Sequence, residues 1–110
     1  MHQRALRLLA LAALVLPVTA HAADAPKGNA ADGAKKNTMC VGCHQIPDYK
    51  TAFPAVYSVP KISGQHADYL VEALKAYKSG ARKHPTMRAI AAQLSEQDML
   101  DLAAFYTAKQ

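Results

Sequence analysis

The sequence is a chain of 110 residues with a hydrophobic share of 51%, a net charge of +5 and two cysteines. This length suits one domain with a small core, and such a chain usually needs a disulfide, a metal or a cofactor for stability. The sequence contains neither a dense basic face nor a recognised nucleic-acid module, so we expect no nucleic-acid partner. Its basic residues fall in short groups typical of solvated surfaces, namely Lys35-Lys36, Lys75 with Lys78, and Arg82-Lys83.

Residues 1–22 have the three parts of a secretory signal peptide. Arg4 and Arg7 form a basic start, an apolar run follows, and small residues precede the expected cleavage point after Ala22. A retained membrane anchor is the alternative, but the run after Arg7 has 13 residues and contains Pro17, whereas a spanning helix needs about 20 apolar residues. We therefore expect export to the periplasm and a mature net charge of +3, because cleavage removes both arginines.

The mature chain is expected to consist of a flexible lead-in over residues 23–29 and one domain over residues 30–110. The lead-in is short and contains a proline and a glycine. Asp32 is a candidate N-cap for a first helix from about Gly33 to Met39. This assignment places the two cysteines at or just beyond the end of that helix.

The segment 45–59 is predicted to be a loop with apolar anchors. Its two prolines exclude a long helix. Its three aromatic residues, Tyr49, Phe53 and Tyr57, argue against disorder, because a wholly solvated loop does not need them.

A second helix is predicted from Ser63 or Gly64 to Gly80, a residue well placed to end it. Its apolar residues recur at the helical spacing i, i+3, i+4 and i+7 and form one stripe, which comprises Leu70, Ala73, Leu74 and Tyr77. The basic segment 81–85 is interpreted as a turn, and residues 88–93 as one further short helical turn.

The last helix has a clear start at Ser95, which can cap it. Asp98, three residues later, can complete a capping box with Ser95. Its buried stripe is expected to comprise Met99, Leu102, Ala103 and Tyr106. No stretch shows sustained strand alternation. The fold class is therefore predicted to be all-α, with three main helices.

The two cysteines belong to the motif Cys40-Val41-Gly42-Cys43-His44, which has the spacing for haem attachment. Two thiols separated by two residues reach the two vinyl groups on one haem edge, and the next histidine falls under the iron. The motif therefore predicts haem c bound through thioethers to Cys40 and Cys43, with Nε2 of His44 as an axial ligand.

The cysteine pair has two other interpretations. A zinc site needs two further ligands at suitable spacing, and the sequence has no second cysteine pair to provide them. A thioredoxin-like redox motif wants a preceding strand and a βαβ unit, which the predicted elements do not provide.

The sixth ligand of the iron decides between electron transfer and chemistry on small molecules. Three of the candidates are poor. Met39 adjoins Cys40 and does not easily cross to the opposite haem face. Met99 lies on the core stripe of the last helix, where methionine is more often packing than ligand. His66 is interpreted as an exposed polar residue.

Met87 is the predicted sixth ligand. It follows a turn that contains a proline, lies well after the second helix, and precedes a short apolar segment that holds it in place. His84, three residues earlier, is the rival ligand. With His44 and Met87 both bound, the iron has no open position for a substrate. The reduction potential of the haem is expected to be positive relative to that of a bis-histidine haem.

With these residues in view, the chain resembles a class I cytochrome c of the small single-haem bacterial type, over essentially the whole mature length. The resemblance implies the small cytochrome c fold, packed around one covalently bound haem. The matching stretches are Asp32-Gly33-Ala34-Lys35, the Cys40–His44 motif, residues 60–65, Tyr69-Leu70, Gly80-Ala81-Arg82, Met87 and residues 101–106.

The resemblance further implies that the carbonyl of Pro60 accepts a hydrogen bond from Nδ1 of His44 and so orients the imidazole. It implies that the first and last helices cross near Gly33, with Phe105 or Tyr106 against the small residue. The interval of 15 residues between His44 and Pro60 is longer than in the compact members of this type.

The expected function is that of a soluble periplasmic electron carrier, not an enzyme. Its partners would be a redox-protein donor and acceptor, with no small-molecule substrate. The alternative is a permanent electron-transfer subunit of a periplasmic dehydrogenase complex, and association with a terminal oxidase is also compatible with the sequence. A peroxidase or a gas sensor would need an open or labile sixth position on the iron.

Overall fold

A computed structural model describes residues 27–53 and 55–109. The predicted signal peptide and most of the lead-in lie outside these residues. Within them the chain forms five helices and one short hairpin, in agreement with the all-α prediction. The elements are α1 (Ala30–Lys36), α2 (Thr38–His44), β1 (Lys50–Thr51), β2 (Tyr57–Ser58), α3 (Ala67–Ser79), α4 (Pro85–Ala92) and α5 (Glu96–Ala108).

Helix α1 begins at Ala30, earlier than predicted, because Asn29 is its N-cap. The side-chain oxygen of Asn29 accepts hydrogen bonds from the backbone N–H groups of Ala31 at 2.9 Å and Asp32 at 3.3 Å. The prediction that Asp32 caps this helix was therefore wrong. Asp32 lies in the first turn instead, where its charge favours the positive end of the helix dipole.

The haem-attachment motif forms a helix of its own, α2, instead of following the end of α1. Asn37 separates the two helices, with φ −80° and ψ 0°, and its carbonyl accepts the backbone N–H of Cys40 at 2.8 Å. Because Cys40, Cys43 and His44 stand at i, i+3 and i+4, α2 places all three on one face.

The predicted loop 45–59 contains a two-stranded antiparallel hairpin, in which Lys50 pairs with Ser58 and Thr51 with Tyr57. Each strand has only two residues, so the sequence offers no alternation by which to recognise it.

Helix α3 begins at Ala67, three residues or more after the predicted start, with His66 as its N-cap residue. Its end is confirmed, because Gly80 adopts φ 84° in the left-handed region. Helix α4 starts at Pro85 and includes Met87 in its first turn, where a turn followed by a shorter helical segment was expected. Pro85 has no backbone N–H to satisfy and so suits a first turn.

The start of α5 is confirmed as a capping box. The hydroxyl of Ser95 accepts the backbone N–H of Asp98 at 3.1 Å, and the carboxylate of Asp98 accepts the backbone N–H of Ser95 at 2.9 Å.

Buried side chains of α3 and α5 form the core, which consists of Leu70, Val71, Leu102, Ala103 and Tyr106. No helix in the described ranges is long and apolar enough to cross a membrane.

Helices α1 and α5 cross at Gly33, as the resemblance implied. A Cβ atom on Gly33 would lie 2.1 Å from the carbonyl oxygen of Asp101 and 2.8 Å from Cβ of Phe105. The close approach of the two backbones therefore depends on the missing side chain.

An ion-paired cluster holds the same two helices together. Nζ of Lys36 lies 2.8 Å from the carboxylate of Asp98 and 2.6 Å from that of Asp101. Asp101, only 2% exposed, also accepts the backbone N–H of Asn29 at 2.8 Å and the side-chain amide of Gln97 at 2.8 Å. Lys36 is thus exposed, as the sequence suggested, and it also pairs with both carboxylates across the helix crossing.

Gly33→Ala is expected to destabilise the fold by about 1–3 kcal/mol, because the added methyl group overpacks the α1–α5 crossing. Urea unfolding of the haem-containing protein, followed by circular dichroism, measures the change. Gly42→Ala is the matched control, since Gly42 is also helical and no atom lies within 4 Å of the position that its added Cβ would take. Equal stability of the two variants would contradict a close-packed crossing.

The stability of the protein is expected to fall in acid through Asp101. Its hydrogen bond with Lys36 is the main cause that lowers the pKa of Asp101 from 3.8 to about 2. A carboxyl group with a lower pKa in the folded state stabilises the fold fully above 3.8, and this contribution is lost as the pH falls towards 2.

Asp101→Asn is therefore expected to lower stability at neutral pH and to flatten the loss of stability between pH 3.8 and 2. Urea unfolding at a series of pH values tests this. Asp68→Asn, which removes an exposed carboxylate of α3, controls for the loss of one negative charge. If the stability of Asp101→Asn fell with pH as steeply as that of the wild type, this carboxylate would be excluded as the cause of the loss in acid.

Candidate haem site

The described residues enclose one large cavity of about 560 Å³, a volume within the range of ligand pockets. Its walls come from α2, the hairpin, residues 59–62, α3, residues 82–84, α4 and α5. The lining is mainly apolar and includes Ile62, Leu70, Leu74, Ile90, Leu94, Leu102 and Ala103. All five of the predicted site residues, Cys40, Cys43, His44, Pro60 and Met87, line this cavity.

Cys40 and Cys43 are both free and share the α2 wall with His44. Burial raises the pKa of the Cys40 thiol. Two unpaired thiols on one wall of an apolar cavity suit two thioether bonds. Within residues 27–53 and 55–109 no group of three or more His, Cys, Asp and Glu side chains is arranged to hold a metal ion, so the cysteine pair there lacks the further ligands of a zinc site.

The orientation of His44 agrees with the implied hydrogen bond. Nδ1 of His44 lies 2.7 Å from the carbonyl oxygen of Pro60. Because a carbonyl oxygen only accepts, Nδ1 carries the proton, and the lone pair of the imidazole is on Nε2. This is the tautomer that a metal-ligating histidine needs when its other nitrogen is held by a backbone carbonyl.

Met87 and His84 both line the cavity. A hydrogen bond between them decides which of the two side chains is available to bind iron. Nδ1 of His84 accepts the backbone N–H of Met87 at 3.3 Å and so caps α4. In this tautomer the proton of His84 is on Nε2, which leaves no lone pair there for a metal. The thioether of Met87 has no proton to lose.

The other candidate ligands are placed as the sequence suggested. Met99 is 2% exposed in the core and is not part of the cavity wall. His66 is exposed at the start of α3 and also lies outside the wall. Met39 does line the cavity, but it belongs to α2, the helix that carries His44.

Arg82 is half-buried and lies in the cavity wall, a position that the sequence did not predict. Its guanidinium carbon is 5.5 Å from the ring centroids of Tyr69 and Tyr77, and Nη2 donates to the hydroxyl of Tyr69 at 3.1 Å. This hydrogen bond is the main cause that raises the pKa of Arg82. Lys61 and Lys83 also line the cavity, whereas no aspartate or glutamate among residues 27–53 and 55–109 does.

Tyr106 brings an unsatisfied hydroxyl to the site. The residue is 2% exposed, and its hydroxyl has no hydrogen-bond partner among the described residues. Burial raises the pKa of Tyr106, so the hydroxyl stays neutral. A buried, unpaired hydroxyl in the wall of an apolar cavity is the feature expected where a bound group normally fills the space.

The residues therefore fit a covalently bound haem in several respects. They supply two thiols, an oriented imidazole and a thioether around an apolar space. They also place cationic side chains in the wall, which suits the anionic edge of a haem. Tyr57, Tyr106 and Arg82 are among the wall residues that sequence reasoning did not assign to the site.

Comparison with known proteins gives the same result. Residues 30–106 match the family model described as Cytochrome c. Cytochrome c-554(548) of Halomonas halodenitrificans is 37% identical over 86 residues, which cover 76% of this chain and 99% of that protein. Cytochrome c4 of Azotobacter vinelandii is 38% identical over 82 residues, which cover 71% of this chain and 36% of that protein.

A third relative is named for its partner. The thiosulfate dehydrogenase electron acceptor of Stutzerimonas stutzeri is 37% identical over 98 residues, which cover 88% of this chain and 44% of that protein. The chain thus spans nearly all of the Halomonas relative and less than half of the other two. From the family model, these relatives and the Cys40-x-x-Cys43-His44 motif, the chain belongs to the cytochrome c family, as a small class I member that binds haem c covalently.

Proposed function

We propose that this protein is a periplasmic single-haem cytochrome that carries one electron between redox proteins through an iron ligated by His44 and Met87. The observation that carries the proposal is the 2.7 Å distance between Nδ1 of His44 and the carbonyl oxygen of Pro60. A hydrogen bond there leaves the lone pair of the imidazole on Nε2, where a metal can bind. Met87, in a wall formed by another helix of the same cavity, provides the second ligand.

Each residue has a defined part in holding the cofactor. Haem c supplies a one-electron iron couple when bound. Cys40 and Cys43 fix it covalently, and Pro60 keeps His44 in one orientation. The apolar wall excludes water and so favours the less charged ferrous state. With His44 and Met87 as ligands no position is open to a substrate, which supports a carrier and not an enzyme.

The hydrogen bond that His84 makes as the N-cap of α4 supports Met87 as the sixth ligand. Nδ1 of His84 caps α4 and binds the backbone N–H of Met87. A switch to ligation by His84 would remove this cap, which is worth about 1 kcal/mol. Ligation by the side chain of Met87 leaves this cap in place.

A second function has specific support, namely an electron-transfer subunit bound permanently to a dehydrogenase. One relative, 37% identical over 98 residues, is named as the electron acceptor of thiosulfate dehydrogenase. Size-exclusion chromatography after mild isolation from the native cells separates the two functions. A free protein elutes alone, whereas a subunit elutes with its dehydrogenase.

The periplasmic location is proposed from residues 1–22. The mass of the purified protein, with one haem included, is expected to correspond to a chain that starts at Ala23. A mass that retains residues 1–22 would contradict cleavage and favour an anchored form.

Met87→Ala is expected to remove the sulfur-to-iron absorption band of the ferric protein and to lower the reduction potential by on the order of 0.1 V, because the thioether favours ferrous iron. Both thioether bonds to the chain remain, so the fold is partly retained. Optical spectra and potentiometry with soluble mediators measure the two changes.

Met99→Leu is the matched control, because it removes a methionine that packs in the core. It is expected to cost less than about 1.5 kcal/mol of stability and to leave the band and the potential unchanged. Loss of the band in Met99→Leu but not in Met87→Ala would reverse the ligand assignment.

A further inference from the structure

The imidazole of His84 contacts two tyrosine rings that belong to different elements. Its centroid lies 4.5 Å from that of Tyr57 in β2, with 50° between the ring planes. It lies 6.4 Å from that of Tyr77 in α3, with an edge-to-face angle of 78°. Aromatic pairs at such separations stabilise each other beyond the effect of the area that they bury. The position of His84 therefore depends on the hairpin as well as on α3.

The same histidine fixes the turn that carries Met87. Its Nδ1 accepts the backbone N–H of Met87 at 3.3 Å, and its carbonyl accepts the backbone N–H of Arg88 at 2.9 Å. Both bonds lie in the first turn of α4. Because the first bond joins the imidazole directly to the backbone of Met87, a shift of the ring removes a restraint on that residue.

The ring of Tyr57 is in turn held from the backbone of the hairpin. Tyr57 pairs with Thr51 in the strand register, and the hydroxyl of Thr51 accepts the backbone N–H of Tyr57 at 3.1 Å. Both residues line the haem cavity. A side chain that is fixed in this way can restrain the imidazole that it contacts.

Tyr57 differs from the other aromatic residues of segment 45–59. Tyr49 and Phe53 lie outside the cavity wall, whereas Tyr57 is part of it and stays 40% exposed. The core is formed by buried side chains of α3 and α5, so Tyr57 adds little to it. Its contacts are at the site and not in the core.

We propose that the Tyr57–His84 contact keeps Met87 on the iron, so that the hairpin closes the sixth position to small molecules. The inference rests on Met87 as the sixth ligand and names the residues that hold it there. Tyr57 and His84 are thus positioning residues, which act through the backbone of Met87. The extra length between His44 and Pro60 then has a use at the haem.

Binding of an added ligand separates this role from a purely structural one. A small molecule reaches the iron only in the fraction of molecules whose Met87 has left it, and its apparent affinity is proportional to that fraction. Loss of a contact that exists only while Met87 is bound raises the fraction. A contact that served the fold alone would change the free energy of unfolding and leave the affinity as it was.

The test is a titration of the ferric, haem-containing protein with imidazole at one neutral pH, followed by optical spectra. Tyr57→Leu is expected to bind imidazole about fivefold more tightly than the wild type, because the aromatic pair is lost. Without imidazole the variant is expected to keep the sulfur-to-iron band.

Tyr49→Leu is the matched control, because Tyr49 belongs to the same segment and is half-buried. Among residues 27–53 and 55–109 it makes no aromatic contact. Its affinity for imidazole is expected to equal that of the wild type. A gain in Tyr49→Leu as large as that in Tyr57→Leu would assign the effect to the stability of the segment and overturn the proposal.

His84→Asn tests the other side of the contact, since asparagine keeps an oxygen that can cap α4 but has no ring. It is expected to bind imidazole about fivefold more tightly than the wild type or more, because both tyrosine contacts are lost. Adding Tyr57→Leu to His84→Asn is expected to cause no further gain, because the two changes remove one contact.

Two outcomes overturn the proposal. One is wild-type affinity for imidazole in Tyr57→Leu or, should that variant not fold, in His84→Asn. The other is a double variant whose gain is the product of the two single gains, which would show that the rings act independently. A wild-type ferric spectrum without the sulfur-to-iron band would instead contradict ligation by Met87, and with it the proposed function, whatever the variants bind.

Discussion

The packing of α1 on α5 is the contact on which the rest of the structure depends. Gly33 allows the two backbones to approach, and Asp101 of α5 then binds both ends of α1. It accepts the backbone N–H of Asn29 before the helix and the ammonium of Lys36 in its last turn. Helix α2 follows directly and α5 supplies Tyr106 to the cavity, so this crossing places the cysteine wall against the rest of the site.

Local signals predicted the helix boundaries that depend on neighbouring residues alone. The capping box of Ser95 and Asp98 and the left-handed Gly80 are of this kind, and both were predicted. The start of α1 was not, because Asn29 and Asp32 are both good caps and the choice involves Asp101, 72 positions away. The hairpin was missed because two-residue strands have no readable period.

The same distinction applies to the site. Cys40, Cys43 and His44 are adjacent in sequence, and their spacing fits one chemistry closely. The role of Pro60 needed a family resemblance, since a proline has no single meaning in isolation. Met87 had to be chosen among several methionines and histidines from its position after the proline-containing turn. The place of Arg82 in the cavity wall was not predicted because it depends on tertiary contacts. The chain turns at Gly80, and the backbone N–H of Arg82 then binds the carbonyl of Ala76 at 3.0 Å, beside two tyrosines of α3.

The single-residue junction at Asn37 limits how this sequence can change its length. One inserted residue would rotate the cysteine face of α2 by about 100° relative to α1. Cys40, Cys43 and His44 would then leave the cavity together, although no side chain of the motif had changed. The segment after His44 has no such restriction, because a hairpin can lengthen at its tip without turning its base. Growth of the chain is therefore tolerated on one side of the motif and excluded on the other.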